Sequence, residues 1–132
     1  GVSSLLIPLG YPAVADSATA DALEKACRDE KAPYNRGIVV ASDLFYPGLL
    51  PSSLELYRKA GVPGVEMECA TLFVIASLRG IRAGGILTVD GNPLKWDEGN
   101  YDPHGEKVTK GKTRMLKLAL DGISAMAKAK IA

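Results

Sequence analysis

Three acids and one thioether bracket a single apolar segment. Val65-Glu66-Met67-Glu68-Cys69 opens it, and Asp90-Gly91-Asn92-Pro93-Leu94-Lys95-Trp96 closes it. Carboxylates can accept hydrogen bonds from hydroxyls or exchange protons, and a methionine supplies soft, adaptable packing. If Val65 to Glu68 is extended, Glu66 and Glu68 share one face and Met67 takes the other. Cys69 to Arg79, rich in Leu72, Phe73, Val74, Ile75 and Leu78 and stopped by Gly80, reads as a buried helix. Ala83 to Val89 reads as a buried strand, which puts Asp90 at a strand's carboxyl end, where the loops of an open α/β sheet diverge and leave a crevice for ligands. The structural alternative is simple: acids at the start of a helix complement its dipole, and Asp-Gly is a common turn dipeptide.

The elements that must hold these residues follow an α/β order. Ser4 to Leu9 is predicted as a first strand, broken by Gly10-Tyr11-Pro12. Asp16-Ser17-Ala18-Thr19 offers capping residues for a helix from Ala20 to Asp29, which Pro33 follows as a stop. Gly37 to Ser42 reads as a second buried strand, and the loop from Asp43 to Pro51 carries Phe45 and Tyr46 just beyond its end. Ser52-Ser53-Leu54-Glu55 has the form of a capping box for a short helix to Ala60, closed by Gly61. After Asp90 a turn-rich loop is expected to about Gly111, of a length that is usually functional or mobile. A last helix is predicted from Lys112 to Ala129. Strand, helix, strand, helix, helix, strand, helix implies a mixed or parallel sheet flanked by helices.

Size and charge narrow the function. The 132 residues amount to one domain's worth of chain, and 16 basic against 15 acidic residues give no nucleic-acid surface. Cys27 and Cys69 stand alone in predicted helices and read as reduced thiols, which suits a cytoplasmic protein. No apolar run is long enough for a membrane span, and no basic region precedes Leu5-Leu6-Ile7 as in a signal peptide. The start at Gly1-Val2, without a methionine and inside a predicted strand, reads as a cut end.

Other motifs fail on spacing. Gly111-Lys112-Thr113 would need a glycine where Glu106 stands to form a phosphate loop. The acids from Asp97 to Asp102 lack the alternation of a calcium loop, and the single His104 rules out a multi-histidine metal cluster, so no metal is expected. No Gly-x-Ser-x-Gly turn is present for a serine hydrolase.

Val65-Glu66-Met67-Glu68, Asp43-Leu44-Phe45-Tyr46-Pro47 and Tyr11-Pro12-Ala13-Val14-Ala15-Asp16 together resemble the nucleoside phosphorylase-I family, which includes uridine phosphorylases and hexameric purine nucleoside phosphorylases. The string from Gly84 to Gly99 is similar to the apicomplexan branch of that family, and the resemblance runs through all 132 residues. It implies the nucleoside phosphorylase-I fold, with residues 1–132 as the carboxyl-terminal part of a single domain. The implied reaction is reversible phosphorolysis of inosine or guanosine to a free purine and ribose 1-phosphate, in purine salvage. Inorganic phosphate is the co-substrate, no cofactor is needed, and the assembly is a homohexamer built as a trimer of dimers. By the family pattern, Glu68 bonds the ribose hydroxyls, with Glu66 beside it in the substrate-binding string, and Met67 packs on the sugar. Asp90 engages N7 of the leaving purine, while Phe45, Pro93 and Trp96 wall the base and sugar pocket. These roles suit the chemistry, because breaking a glycosidic bond builds positive charge on the sugar and negative charge on the base. An acid that donates at neutral pH needs a raised pKa, which an apolar aromatic wall would give.

Departures from the family pattern refine the expectation. Uridine phosphorylases usually carry a glutamine and an arginine where this chain has Leu49 and Pro51, which disfavours pyrimidines. Apicomplexan members tend to have two tyrosines where Phe45 and Tyr46 stand, so one hydroxyl is lost. The family's phosphate-binding glycine and arginines have no match here. Two alternatives stay open: uridine phosphorolysis, and a non-catalytic fragment that binds a nucleoside or a partner subunit.

Overall fold

The computed structural model describes residues 3–46 and 48–131, with side chains described to residue 129. Gly1 and Val2 of the expected cut end and Pro47 of the aromatic loop lie outside the described residues. The elements in order are α1 (Ser3–Leu6), α2 (Ser17–Asp29), β1 (Val40–Ala41), α3 (Leu54–Lys59), β2 (Val65–Glu66), α4 (Cys69–Leu78), a 3-10 helix (Pro93–Glu98) and α5 (Glu106–Ile131). They fall into two compact units, Gly1–Ala20 with Asn35–Gly85 and Asp21–Tyr34 with Ile86–Ala132.

The first unit is organised by α4. Its buried side chains are Cys69, Val74 and Ala76, with Val74 only 1% exposed. Gly80, at φ 63°, ends the helix in the left-handed region that favours glycine. The sheet here is a single parallel pair, with Val40 opposite Val65 and Ala41 opposite Glu66. The amides of Val40 and Ser42 extend the pairing to the carbonyls of Gly64 and Glu66, at 3.0 and 2.7 Å. The predicted strand Gly37 to Ser42 is therefore present only at Val40–Ala41, toward its carboxyl end.

Ser4 to Leu9 is not a strand. Ser3–Leu6 is one helical turn, continued by Ile7 N–H donating to the Ser3 carbonyl at 3.2 Å, and it packs against α4. A short apolar run fits a buried turn or a strand equally well, and no described segment offers this one a ladder. The chain beyond it turns at Gly10 (φ 99°) and is tied to α4 by a 2.6 Å hydrogen bond between Tyr11 Oη and Ser77 Oγ.

The capping box before α3 is also a misreading. Ser53 makes no side-chain cap, and Ser52 Oγ instead accepts from the Leu54 amide at 3.2 Å. Glu55 turns away because Arg58, one turn on, holds it at 2.6 and 3.0 Å.

α2 begins three residues earlier than predicted because Asp16 is the cap: its Oδ1 accepts from both the amide and the hydroxyl of Thr19 at 2.8 Å. Those two bonds, aided by the nearby Arg82 charge, hold the Asp16 carboxyl below its ordinary range.

The second unit packs α2 and α5 around Ala26, Cys27, Ala32 and Leu118, with Ile86 against them. Gly122 permits the close approach, since a Cβ there would lie 3.2 Å from Leu23 Cδ2. α5 starts at Glu106 rather than Lys112, with Lys110 paired to Glu106 at 2.5 Å and Lys117 to Asp121 at 3.0 Å along it. Ala83 to Val89, expected as a buried strand, carries no ladder: the Ala83 carbonyl accepts from the Asp16 amide at 2.8 Å, but a strand needs a run of such bonds, and no described segment supplies one. Among the described residues no helix is long and apolar enough to cross a membrane.

Candidate active site

In the first unit, the acids at positions 66 and 68 do different work. β2 ends at Glu66, and Glu68 has φ −126° and ψ −31°, so the two do not lie on one face of an extended strand. Instead, Glu66 folds its carboxylate over the start of α4. Its Oε2 accepts from the amide of Glu68 at 2.7 Å and that of Cys69 at 2.6 Å. Such amides have no partner inside the helix, and a carboxylate there also complements the helix dipole. Glu68 itself makes no side-chain cap. Its carboxylate is exposed and leans back 3.3 Å from the amide of Met67, which is also exposed. Glu66 thus fixes the backbone of the turn, and Glu68 and Met67 present their side chains outward from it.

Cys69, the first residue of α4, lies beneath this turn. Burial, followed by its hydrogen bond to the Glu66 carboxylate and the charges of Glu66 and Glu68, pushes its thiol up to about 12. Gly85 passes so close that a Cβ there would lie 3.1 Å from Cys69 Sγ. Phe45 stands on an exposed loop, edge to face with Tyr46 at a ring separation of 5.2 Å.

In the second unit, Asp90, Pro93 and Trp96 belong to one closed loop. The Asp90 carbonyl accepts from the Asp102 amide at 3.1 Å, Gly91 bridges antiparallel to Tyr101, and the Asn92 amide donates to the Asn100 carbonyl at 2.9 Å. Between these ties, Asn92 Oδ1 caps the 3-10 helix by accepting from Leu94 N–H at 3.0 Å, with Pro93 as its first residue. Gly99, at φ 75°, turns the chain back. Asp90 is half-buried at the mouth of this loop, and Trp96 lies half-buried within it, its ring 5.2 Å from that of Tyr101. The turn-rich stretch that sequence spacing marks as one long loop is therefore an ordered closed segment followed by the first turns of α5. Sequence reasoning missed Tyr101; its aromatic character five residues after Trp96 was the available signal. His104 is exposed, and among the described residues no three metal-binding side chains are grouped.

Comparison with known proteins identifies the family. The Phosphorylase superfamily model matches residues 6–124. A purine nucleoside phosphorylase of Plasmodium falciparum is 46% identical over 127 residues, covering 96% of this chain and 51% of the relative. The crystal structure of purine nucleoside phosphorylase from Toxoplasma gondii in complex with immucillin-H superposes with a TM-score of 0.89 at 38% identity, covering 98% of this chain and 52% of that one. A uridine phosphorylase of Treponema pallidum is similar at 34% identity over a shorter stretch, 77% of this chain and 43% of its own. The chain spans about half the length of the curated relatives it matches, and over that span its fold is the nucleoside phosphorylase fold. With 119 consecutive positions inside the family match, the chain belongs to the Phosphorylase superfamily.

Proposed function

We propose that this chain supplies the nucleoside-binding half of a purine nucleoside phosphorylase, the carboxyl-terminal part of a single domain, acting on inosine or guanosine with inorganic phosphate. The observation that carries the reading is the ordered Asp90–Asp102 loop, which holds an acid at its mouth and an indole within it, on a chain 46% identical to a purine nucleoside phosphorylase. In phosphorolysis a phosphate oxygen bonds to C1′ of the ribose as the C1′–N9 bond breaks, and the bonding pair leaves with the purine. Asp90 delivers a proton to N7, so the base departs neutral. Glu68, held outward by the Glu66 clamp, accepts hydrogen bonds from the ribose hydroxyls and offsets the positive charge that develops on the sugar. Met67 packs on the sugar, while Phe45, Pro93 and Trp96 wall the nucleoside.

Phosphate is the co-substrate and no further cofactor is required. The phosphate-binding groups belong to the part of the relatives that this chain does not match, and the working assembly is a cytoplasmic homohexamer. Leu49 and Pro51, where uridine phosphorylases usually carry glutamine and arginine, favour purine over uracil. Asp90→Asn, in an active protein containing this chain, is expected to slow inosine phosphorolysis by about 10²-fold or more, the range of general acid catalysis. A nucleoside whose leaving group needs no protonation should be much less affected. Equal loss on both substrates would remove Asp90 from the role.

A further inference from the structure

We propose that Tyr101 is a positioning residue for Trp96, setting the indole through ring contact across the closed loop. Its relevance to substrate rests on the nucleoside reading above; its physical content does not.

The backbone of the loop is fixed at both ends. Gly91 and Tyr101 face each other across an antiparallel bridge, flanked by the bonds Asn92 N–H to Asn100 carbonyl (2.9 Å) and Asp102 N–H to Asp90 carbonyl (3.1 Å). This closure needs a glycine at 91, because a Cβ there would sit 2.6 Å from the Asn100 carbonyl oxygen and 3.0 Å from Tyr101 Cδ2. Within the loop, the Trp96 carbonyl accepts from Gly99 N–H at 2.9 Å and the Lys95 carbonyl from Asn100 N–H at 3.2 Å. These bonds place the Trp96 backbone, and its side-chain torsions are set by what the indole touches. The Tyr101 ring, 5.2 Å away and tilted by 43°, restricts them. Because Tyr101 is paired to Gly91, the residue after Asp90, the same bridge that fixes the exit from Asp90 also sets the aromatic wall.

Trp96 is the only tryptophan in the sequence, so intrinsic fluorescence reports on this side chain alone. The experiment compares acrylamide quenching and anisotropy in the unaltered chain and in Tyr101→Phe, Tyr101→Leu, Tyr101→Ala and Gly91→Ala, with far-ultraviolet circular dichroism confirming retained helix. Losing an aromatic contact is expected to raise the quenching constant about 2-fold or more and lower the anisotropy in the Leu and Ala variants. Phe keeps the ring and should match the unaltered chain, while Gly91→Ala should resemble Tyr101→Ala by opening the bridge. If Tyr101→Ala loses its helical signal, the Leu and Phe variants decide the matter. Unchanged quenching in the folded Leu variant, or equal effects of Phe and Leu, would overturn the proposal. Adding inosine to an active protein containing the chain should shift Trp96 emission; no shift would count against the nucleoside reading while leaving the positioning result standing.

Discussion

Replacing Gly111 by alanine should destabilise the protein although it improves helix propensity. Gly111 lies in the second turn of α5, and at an unobstructed helical position glycine to alanine stabilises by about 1 kcal/mol. Here the added Cβ would lie 2.7 Å from Thr88 Cγ2, where carbon atoms pack comfortably at about 3.5–4.0 Å. Thr88 cannot simply turn aside: its branched side chain is stiff, and its hydroxyl donates to Met115 Sδ at 3.4 Å. Overpacking of this kind costs about 1–3 kcal/mol, so the net effect is a loss of about 1 kcal/mol, or a fall of about 3–5 °C in Tm for a chain of this size. Thermal melts followed by circular dichroism at 222 nm measure it directly. Thr88→Ser removes the obstructing methyl, so Gly111→Ala in that background should become neutral or stabilising, with a coupling of about 1–2 kcal/mol across the double-mutant cycle. A rise in Tm for Gly111→Ala alone, with the same increment in both backgrounds, would refute the packing argument. Thr88 lies two residues before Asp90, so a shift there should also lower turnover in an active protein containing this chain.

Two further outcomes follow from the first unit. Glu68→Gln is expected to impair turnover of ribosides by about 10-fold, because a neutral amide makes weaker hydrogen bonds to hydroxyls than a carboxylate does. Its Tm should hardly change, since Glu66 and not Glu68 caps α4; near-normal inosine kinetics would return Glu68 to a structural role. Cys69, with its thiol pushed up to about 12, should react with iodoacetamide at pH 8 at least ~10²-fold more slowly than in the unfolded chain. Because the folded pKa lies above the unfolded one, the stability linked to this thiol is fully present below the unfolded value and is lost as pH rises towards 12. Rapid native-state alkylation of Cys69, located by peptide mapping, would contradict the burial.

What the sequence makes legible is local. The apolar run of α4 and its Gly80 stop are readable from composition and glycine chemistry alone. The misreadings concern partners. Leu5-Leu6-Ile7 and Ala83 to Val89 have strand-like composition, but strand identity depends on a neighbour that no local pattern reveals. Gly111 reads as part of a loop because glycine usually punctuates, whereas it sits inside α5, where a Cβ would strike Thr88. The Glu66 clamp and the Tyr101 ring contact were illegible for a related reason: each depends on a backbone reversal that brings a side chain back onto its own neighbourhood.

The central claim, that this chain carries the nucleoside side of a phosphorylase and relies on other residues for phosphate, is tested by hypoxanthine release from inosine with and without phosphate. Two samples are compared: the 132 residues alone, and the same residues joined to the unmatched half of the Plasmodium falciparum relative. The 132 residues alone should show no turnover. The joined protein should release hypoxanthine only when phosphate is present, with ribose 1-phosphate as the second product. Robust phosphate-dependent turnover by the 132 residues alone, or phosphate-independent release by the joined protein, would contradict the account.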